Sequence, residues 1–342
     1  MFNHILVPLD GSPLCECVLS HVVTLAQVLG ARVTLLQVLE SVHTAGQTRS
    51  VDPLGWHIRK AEAGAYLDAV AARLQEADLR VEKALLEGQA AERIAQFAKD
   101  QNTDLIVVSS HGEGGLNKWN ISSAVQRTIV EASISVMIVR AYQPVSSDLT
   151  GLRYERLLVP LDGSQRAECT LPLATTLARI HESQLLLAHV VARPEVPRRA
   201  PPTQEDIELA NQLTERNRLE AAEYLQQLQS RLSLDIQTRL LVSDNAAATL
   251  HELVVQENVD LVVLSAHGYS GGTKWPYGSV AISFIAYGTT PLLIVQDLSQ
   301  EELERMQAEM AVKEHQGLRR PSPPPLTDSM QAEMVAREYK GQ

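Results

Sequence analysis

The stretch ILVPLDGS at residues 5–12 is followed 152 positions later by LLVPLDGS at residues 157–164. A second pair of phrases, DLIVVSSHG at 104–112 and DLVVLSAHG at 260–268, is offset by 156 positions, so the second copy gains four residues between the two landmarks. Each copy spans about 140 residues, which is the length of a domain and not of a solenoid repeat. The sequence therefore predicts a tandem duplication of one complete domain.

Each copy alternates short β-rich runs with longer helical patterns, an order typical of right-handed βαβ crossovers in a parallel, doubly wound sheet. The strands are predicted near 4–10, 33–39, 80–86, 104–110 and 134–140, and near 156–162, 185–192, 234–242, 260–266 and 291–296. The helices are predicted near 13–29, 57–77, 90–101 and 120–132, and near 165–181, 204–231, 245–258 and 278–287. We therefore predict an α/β protein with two five-stranded, Rossmann-like domains.

Composition marks the boundaries of these domains. Residues 143–153 lack periodicity and contain proline, serine and glycine, which predicts a linker between domains at 1–142 and 154–297. The stretch 193–202 is rich in proline and arginine and predicts a surface loop. The tail, 298–342, is predicted to be helical around a proline cluster and carries MQAEM twice. Its methionine pairs leave open docking on a partner, packing on the protein's own surface and partial disorder.

The composition excludes several classes of protein. A formal charge of −11 without a long Lys/Arg run argues against a sequence-independent nucleic-acid surface. The first strand begins within four residues, which leaves no room for a signal peptide, and no apolar stretch approaches the length of a membrane span. We therefore expect a soluble, cytoplasmic protein. Cys15, Cys17 and Cys169 indicate neither a disulfide framework nor zinc, and Cys17 and Cys169 are expected to pack inside their domains.

The repeated phrases end where a parallel sheet binds ligands, beyond the carboxyl ends of the first and fourth strands. Small residues close the fourth strand, a nine-residue loop follows Gly112 or Gly268, and a helix then starts at Ser122-Ser123 or Gly278-Ser279. Small residues let backbone N–H groups approach an anion, and a helix N-terminus favours negative charge. The pattern therefore predicts a phosphate site in each half.

Each of these residues also has a purely structural interpretation. Ser123 and Ser279 could cap their helices, and Asp10 and Asp162, which could accept a hydrogen bond from an adenine amine or a ribose hydroxyl, could serve only a helix-entry turn. The histidines of the two phrases, His111 and His267, are expected to anchor their loops, since neither has a catalytic partner at recognisable spacing. Lys118 and Lys274 are expected to be solvated beside a packed tryptophan.

At these motifs the chain resembles a tandem universal stress protein of the UspA superfamily, over residues 1–142 and 154–297. Nucleotide-binding members carry G-x-x-G-x9-G-[ST] after the fourth strand. The second half departs from this pattern only at Ser265, and the first half departs at Ser109 and Ser122. The resemblance implies a fold similar to that of adenine nucleotide alpha hydrolases, with ATP or AMP as ligand, with or without magnesium.

The resemblance also implies which residues bind the nucleotide. Asp10 and Asp162 match the adenine-side aspartate, and Val38 and Val190 match the position whose backbone meets the base. The candidate residues are Pro160, Asp162, Val190, Ser265, His267, Gly268, Gly278, Ser279 and Val280 in the second half, and Asp10, Val38, Ser109, Gly112, Ser122 and Ser123 in the first. A serine in place of glycine is tolerable if its φ is negative and harmful if positive. We rank the second half above the first as the ATP-binding half.

Three functions follow from this interpretation. The first is a non-catalytic stress-response regulator that binds adenine nucleotide. The second is a nucleotide-free member acting as a protein-interaction module with an unidentified partner. The third, a dedicated ATP-using enzyme, has no Walker lysine or paired carboxylates behind it, although slow hydrolysis of bound ATP is compatible with the first. Family members dimerise through their fifth strands, which implies an internal pseudo-dimer that uses 134–140 and 291–296; a further homodimer stays open.

Overall fold

The computed structural model describes residues 2–40, 53–112, 121–141, 149–194, 203–232, 234–269 and 276–298. The chain divides into two compact units between Arg153 and Tyr154. Several sequence predictions lie outside the described residues: those on Lys118 and Lys274, most of the linker, most of the loop 193–202, and the tail after Leu298.

The first unit contains five strands, four α-helices and a short 3-10 helix among its described residues. The strands are β1 (His4–Pro8), β2 (Arg32–Leu39), β3 (Val81–Glu87), β4 (Leu105–Ser109) and β5 (Ser135–Val139). The helices are the 3-10 helix (Cys15–Val18), α1 (Leu19–Leu29), α2 (Pro53–Glu76), α3 (Ala90–Asp100) and α4 (Ser123–Ala132).

The five strands of the first unit form a parallel sheet in the order β3-β2-β1-β4-β5. Every residue of β4 and β5 is buried, as expected for strands covered on both faces. β1 pairs with β2 on one side and with β4 on the other, so the strand order reverses between β1 and β4. The predicted switch point therefore lies where the two repeated phrases end.

The second unit repeats this plan. Its strands are β6 (Arg156–Pro160), β7 (Gln184–Val191), β8 (Ile236–Val242), β9 (Leu261–Ser265) and β10 (Leu292–Val295). Its helices are α5 (Gln165–Glu168), α6 (Leu171–His181), α7 (Gln204–Arg231), α8 (Ala246–Gln256) and α9 (Ser279–Tyr287). The strands are again parallel, in the order β8-β7-β6-β9-β10, so the predicted α/β, doubly wound fold class is confirmed.

One prediction about the helices is wrong in both units. The first helix of each half, expected to run unbroken over 13–29 and 165–181, is divided into a short turn and a longer helix. In the second unit Pro172 stands in the first turn of α6, and a proline there cannot donate to the carbonyl four residues back. In the first unit the backbone bonds at the start are of the i to i+3 type, with the Cys15 N–H 3.2 Å from the Ser12 carbonyl.

The described helices include none that is long and apolar enough to cross a membrane. Cys17 lies in the core beside Ser109, with its Sγ 3.4 Å from the serine Oγ. Burial raises the pKa of the Cys17 thiol to about 11 and that of Cys169 to about 11. A thiol held in its protonated form is a weak nucleophile, which agrees with packing rather than redox roles for both.

Candidate functional site

The Asp-Gly-Ser turn after the first strand has the same geometry in both units. Gly11 and Gly163 adopt φ of 84° and 83°, in the left-handed region that favours glycine. The Oδ1 of Asp162 accepts the N–H of Ser164 at 3.0 Å, and the equivalent Asp10 bond measures 2.9 Å. Ser164 in turn caps α5 by accepting the Ala167 N–H at 3.1 Å. The turn therefore has the structural role predicted for it: it leads the chain into the first helix, which Ser164 caps in the second unit.

The same aspartates also contact the glycine that ends the second phrase. A Cβ placed on Gly112 would lie 1.8 Å from Asp10 Oδ2, and one on Gly268 would lie 2.2 Å from Asp162 Oδ2. Neither glycine has a positive φ, so the requirement is the close approach of the carboxylate and not the backbone conformation. In the second unit Asp162 Oδ2 also accepts the N–H of Tyr269 at 2.5 Å. The two repeated phrases thus hold each other in place.

The start of the helix after the nine-residue loop folds back on the fourth strand of each unit. The N–H of Ser122 donates to the Ser110 carbonyl at 2.9 Å, and the N–H of Gly278 donates to the Ala266 carbonyl at 2.7 Å. The backbone is nearly the same, with φ of −71° at Ser122 and −73° at Gly278. A helix N-terminus therefore lies beside the end of the fourth strand in both units.

The serines that replace the family's glycines are not in the left-handed region. Ser109, Ser122 and Ser265 are absent from the positive-φ residues of the described chain. The Oγ of Ser109 donates to the His111 carbonyl at 2.7 Å, and the Oγ of Ser265 donates to the His267 carbonyl at 2.5 Å. These hydroxyls stabilise the turn after the strand, so backbone strain gives no reason to rank the second unit above the first.

The two helix N-termini do differ in their caps. Ser122 accepts the N–H of Val125 at 3.3 Å and so satisfies one of the orphan donors of α4. Gly278 has no side chain to do so, and α9 therefore has no cap from its N-cap residue. The first-turn N–H groups of α9, at Ser279, Val280 and Ala281, are therefore better placed to meet an anion than those of α4.

A cavity of about 140 Å³ opens between these turns in the first unit. Five of the six first-half candidates line it: Asp10, Val38, Ser109, Gly112 and Ser122. Ser123 begins α4 and is exposed. Apolar side chains from β2, α3 and β4 line the other part of the cavity: Leu36, Ala90, Ile94 and Val108. The walls thus divide into an apolar part and a polar part with a helix N-terminus.

The cavity also contains a residue that the motifs did not indicate. Cys15 lines it, and burial followed by the charge of Asp10 raises the pKa of the Cys15 thiol to about 12. The thiol hydrogen-bonds within the protein, with its Sγ 3.0 Å from the Ser12 carbonyl. Cys15 therefore lines the cavity as a neutral thiol. The sequence comparison of the two halves did not indicate it, because the second half has no matching cysteine.

In the second unit the structure joins most of the candidates through the two turns. Asp162, Ser265, His267, Gly268 and Gly278 belong to the hydrogen-bonded turns, and Ser279 and Val280 begin α9. Pro160 ends β6 and Val190 lies near the end of β7; both are partly exposed, on neighbouring strands. These two belong to the same carboxyl edge but not to the hydrogen-bonded turns.

Both histidines are anchored through their Nδ1 atoms. His111 Nδ1 lies 3.1 Å from the Oγ of Ser110, and His267 Nδ1 lies 2.9 Å from the Oδ1 of Asp297. Both histidines are almost fully buried. Sequence reasoning missed Asp297, which follows the last apolar run of the repeat and replaces Ala141 of the first half. The described residues contain no group of three His, Cys, Asp or Glu side chains that could hold a metal ion.

The model of the universal stress protein family matches residues 1–140 and 153–296, which is most of the chain. The chain belongs to this family. Two curated relatives each match 41% of this chain. Universal stress protein YxiE of Bacillus subtilis is 30% identical over 148 residues and is covered along 100% of its length. Universal stress protein MJ0531 of Methanocaldococcus jannaschii is 26% identical over 141 residues and is covered along 83%.

Solved structures agree over both domains. A universal stress protein from Archaeoglobus fulgidus gives a TM-score of 0.59 at 16% identity, covering 87% of this chain and 100% of its own. The Pseudomonas aeruginosa protein PA1789 gives a TM-score of 0.62 at 14% identity, covering 91% of this chain and 98% of its own. At these identities the likeness concerns the fold. Two universal stress protein domains follow one another in this chain.

Proposed function

We propose that this protein binds an adenine nucleotide, ATP or AMP, as a non-catalytic regulator of a stress response, with the second domain as the stronger site. One observation supports it above the others. In each domain a small-residue strand end, an aspartate turn and a helix N-terminus meet at the switch point of the sheet. This combination of backbone donors, close approach and helix dipole is suited to a phosphate.

The proposed roles follow from the chemistry of the edge. The first-turn N–H groups of α9, with Gly268 and the hydroxyl of Ser279, would bind the phosphates. The adenine base would lie against apolar residues at the same edge of the sheet: Val190 and Pro160 in the second domain, and Val38 in the first. Asp162 uses three of its roughly four acceptor positions on Ser164 and Tyr269, which leaves room for one ligand donor. Magnesium would be carried by the nucleotide phosphates.

Binding alone can regulate only through a difference in affinity between two states of the protein. We propose binding and not dedicated hydrolysis because the His267 ring is 1% exposed and already bonded to Asp297. A general base must reach the proton that it removes, and a ring so buried does not reach a water in the cleft. Slow hydrolysis of bound ATP is compatible with this proposal.

A second candidate function is a nucleotide-free protein-interaction module. The observation that favours it is the use of both Asp162 oxygens within the protein, where they join the two turns without a ligand. In that case the two repeated phrases would have a structural role only, since each stabilises the turn formed by the other. The experiment below distinguishes the two functions.

Two further predictions stand: pairing of 134–140 with 291–296 inside one chain, which the family resemblance implies, and a cytoplasmic location, which the sequence pattern indicates. Sedimentation of the purified full chain tests whether dimerisation occurs between molecules. We expect the 37.6 kDa mass of a single chain, as an internal pseudo-dimer needs no partner. Twice that mass would contradict this expectation.

The proposed function is tested by calorimetric titration of the full chain with ATP and with AMP, after co-purified nucleotide has been removed by denaturation and refolding. We expect saturable binding of about one equivalent at the second domain, and weaker or no binding at the first. Two equivalents of equal affinity would contradict the ranking of the domains. No heat and no thermal shift with either nucleotide would contradict the function and favour the interaction module.

Gly278→Asp is expected to weaken ATP binding at the second domain at least about tenfold, equal to about 1.4 kcal/mol. The variant places a negative charge where the phosphates would lie, while a Cβ at this position meets the Ala266 carbonyl at an ordinary 3.5 Å. Aspartate is also a good N-cap, so the fold should survive. The matched control is Gly278→Ala, which adds the Cβ without a charge or a cap and should bind within about threefold of the parent. Unchanged affinity in the aspartate variant would refute the site.

A further inference from the structure

A charged cluster with a buried carboxylate and a partly exposed arginine lies behind the proposed phosphate turn of the second domain. Asp297 Oδ1 accepts two hydrogen bonds from one residue, the backbone N–H and the ring Nδ1 of His267, each at 2.9 Å. The other carboxylate oxygen lies 3.3 Å from the Nη1 of Arg166, which comes from α5. The Asp297 side chain is 1% exposed. One carboxylate therefore connects the end of β10, the turn after β9 and the helix after β6.

Within the part of the chain that the structure describes, a hydroxyl bonds to the same turn of the first domain. The positions that match Arg166, Ala266 and Asp297 are Leu14, Ser110 and Ala141. There the Oγ of Ser110 accepts the Ala141 N–H at 3.0 Å and lies 3.1 Å from His111 Nδ1. Three positions thus differ together: a hydroxyl in one domain does the work that a carboxylate and its arginine do in the other.

We propose that Asp297, paired with Arg166, is a positioning residue that fixes the Ser265–Gly268 turn of the second domain, so that nucleotide binding there depends on this charged cluster. The nucleotide part of this inference rests on the proposed function. The positioning part concerns the backbone of the turn and is measurable without any ligand.

The chemistry of the cluster supports this role. An ionised carboxylate only accepts hydrogen bonds, so Nδ1 of His267 must carry the proton between it and Asp297. That bond fixes the orientation of the ring, as a carboxylate does behind many functional histidines. A buried carboxylate deprived of its partner is costly, and a buried histidine ring and backbone N–H lose their acceptor when Asp297 is removed. Breaking one member should therefore disturb the turn more than replacing the whole set.

The test compares Asp297→Ala with a triple variant, Arg166→Leu with Ala266→Ser and Asp297→Ala, which transfers the three matching residues of the first domain. Both are made in full-length protein that also carries Ser122→Asp to weaken the first site. Asp297→Ala is expected to weaken ATP binding about tenfold, and the triple variant to return it to within about threefold of the parent. In NMR spectra the downfield Nδ1–H signal of His267 should disappear in Asp297→Ala.

Amide hydrogen exchange of residues 265–268 provides the reading that needs no nucleotide. We expect exchange at least about tenfold faster in Asp297→Ala and restored in the triple variant. The matched control is Glu257→Ala, at the opposite edge of the sheet. It also removes a carboxylate paired with arginine: Glu257 lies 2.7 Å from Arg156 and 2.8 Å from Arg239. It should leave exchange at 265–268 and ATP binding unchanged.

The outcomes separate this inference from the function on which it rests. If the parent binds no ATP, the proposed function fails, and the exchange data and the Nδ1–H signal alone decide the positioning role. Parental exchange in Asp297→Ala, or a triple variant as impaired as the single one, would overturn the inference even if ATP binds. An equal effect of Glu257→Ala would also overturn it, because the effect would then be general destabilisation.

Discussion

Gly268→Ala is expected to weaken nucleotide binding by the second domain about 100-fold, which corresponds to about 2.8 kcal/mol. The new Cβ would lie 2.2 Å from Asp162 Oδ2, closer than any real contact allows. The carboxylate must then move away and give up the bonds that it accepts from Tyr269 at 2.5 Å and Ser164 at 2.6 Å. We expect only about 1 kcal/mol less stability, since both released donors are exposed and bond to water instead. Titration calorimetry and urea unfolding measure the two effects.

The clash itself can be isolated by a double-mutant cycle. Asp162→Ala removes the atom that the new methyl group meets, so Gly268→Ala should add little to the stability loss in that background. Gly112→Ala in the first domain, with 1.8 Å to Asp10 Oδ2, should behave in the same way. The control is Gly64→Ala on α2, where a Cβ meets nothing within 4 Å. Additive losses at positions 162 and 268 would show that the contact between the two turns is not the cause.

His21→Leu is expected to reduce the loss of stability on acidification. Burial lowers the pKa of His21 to about 4 in the folded protein, from 6.5 as its ordinary value. The unfolded chain therefore binds a proton at a pH where the folded chain does not, and stability falls as the pH drops from about 6.5 towards 4. This one residue accounts for about 2 kcal/mol between pH 7 and pH 5. Urea unfolding at those two pH values measures the difference.

The duplication provides the variants for this test. The position that matches His21 is Leu173, which is buried to the same degree, so leucine is already tolerated in that environment. The reverse change, Leu173→His, should make the pH dependence steeper. Burial also lowers the pKa of His4 and His189, so part of the dependence should remain in His21→Leu. An unchanged difference between pH 7 and pH 5 would contradict the assignment to His21.

Apolar runs and repeated phrases predicted the strands because a buried parallel strand leaves a continuous hydrophobic signature. Each predicted strand is present within a few residues of its expected bounds. The first helix of each domain was predicted less well, since the break at Pro172 and the 3-10 turn at Cys15–Val18 depend on how the helix enters the core. The boundaries 1–142, 143–153 and 154–297 remain predictions.

The candidate site, too, was predicted only in part from the sequence. Spacing alone placed Gly112, Gly268 and Gly278 at strand ends and helix starts, because the motif is local in sequence. It gave no conformation for the substituted serines, and the structure shows that they do not adopt the left-handed conformation that would make them harmful. It also gave no partner for His267, because Asp297 lies beyond the end of another strand, β10.

By itself the sequence determined the duplication, the parallel α/β fold and the edge of the sheet where chemistry can occur, because these depend on periodicity and on residues close together in the chain. Only the tertiary structure decided which groups meet across long separations. It brought Asp162 onto Gly268, Arg166 and His267 onto Asp297, and Glu16 onto Arg73 at 2.6 Å, a pairing repeated by Glu168 and Arg231. Such contacts depend on how the strands and helices pack, which no local pattern specifies.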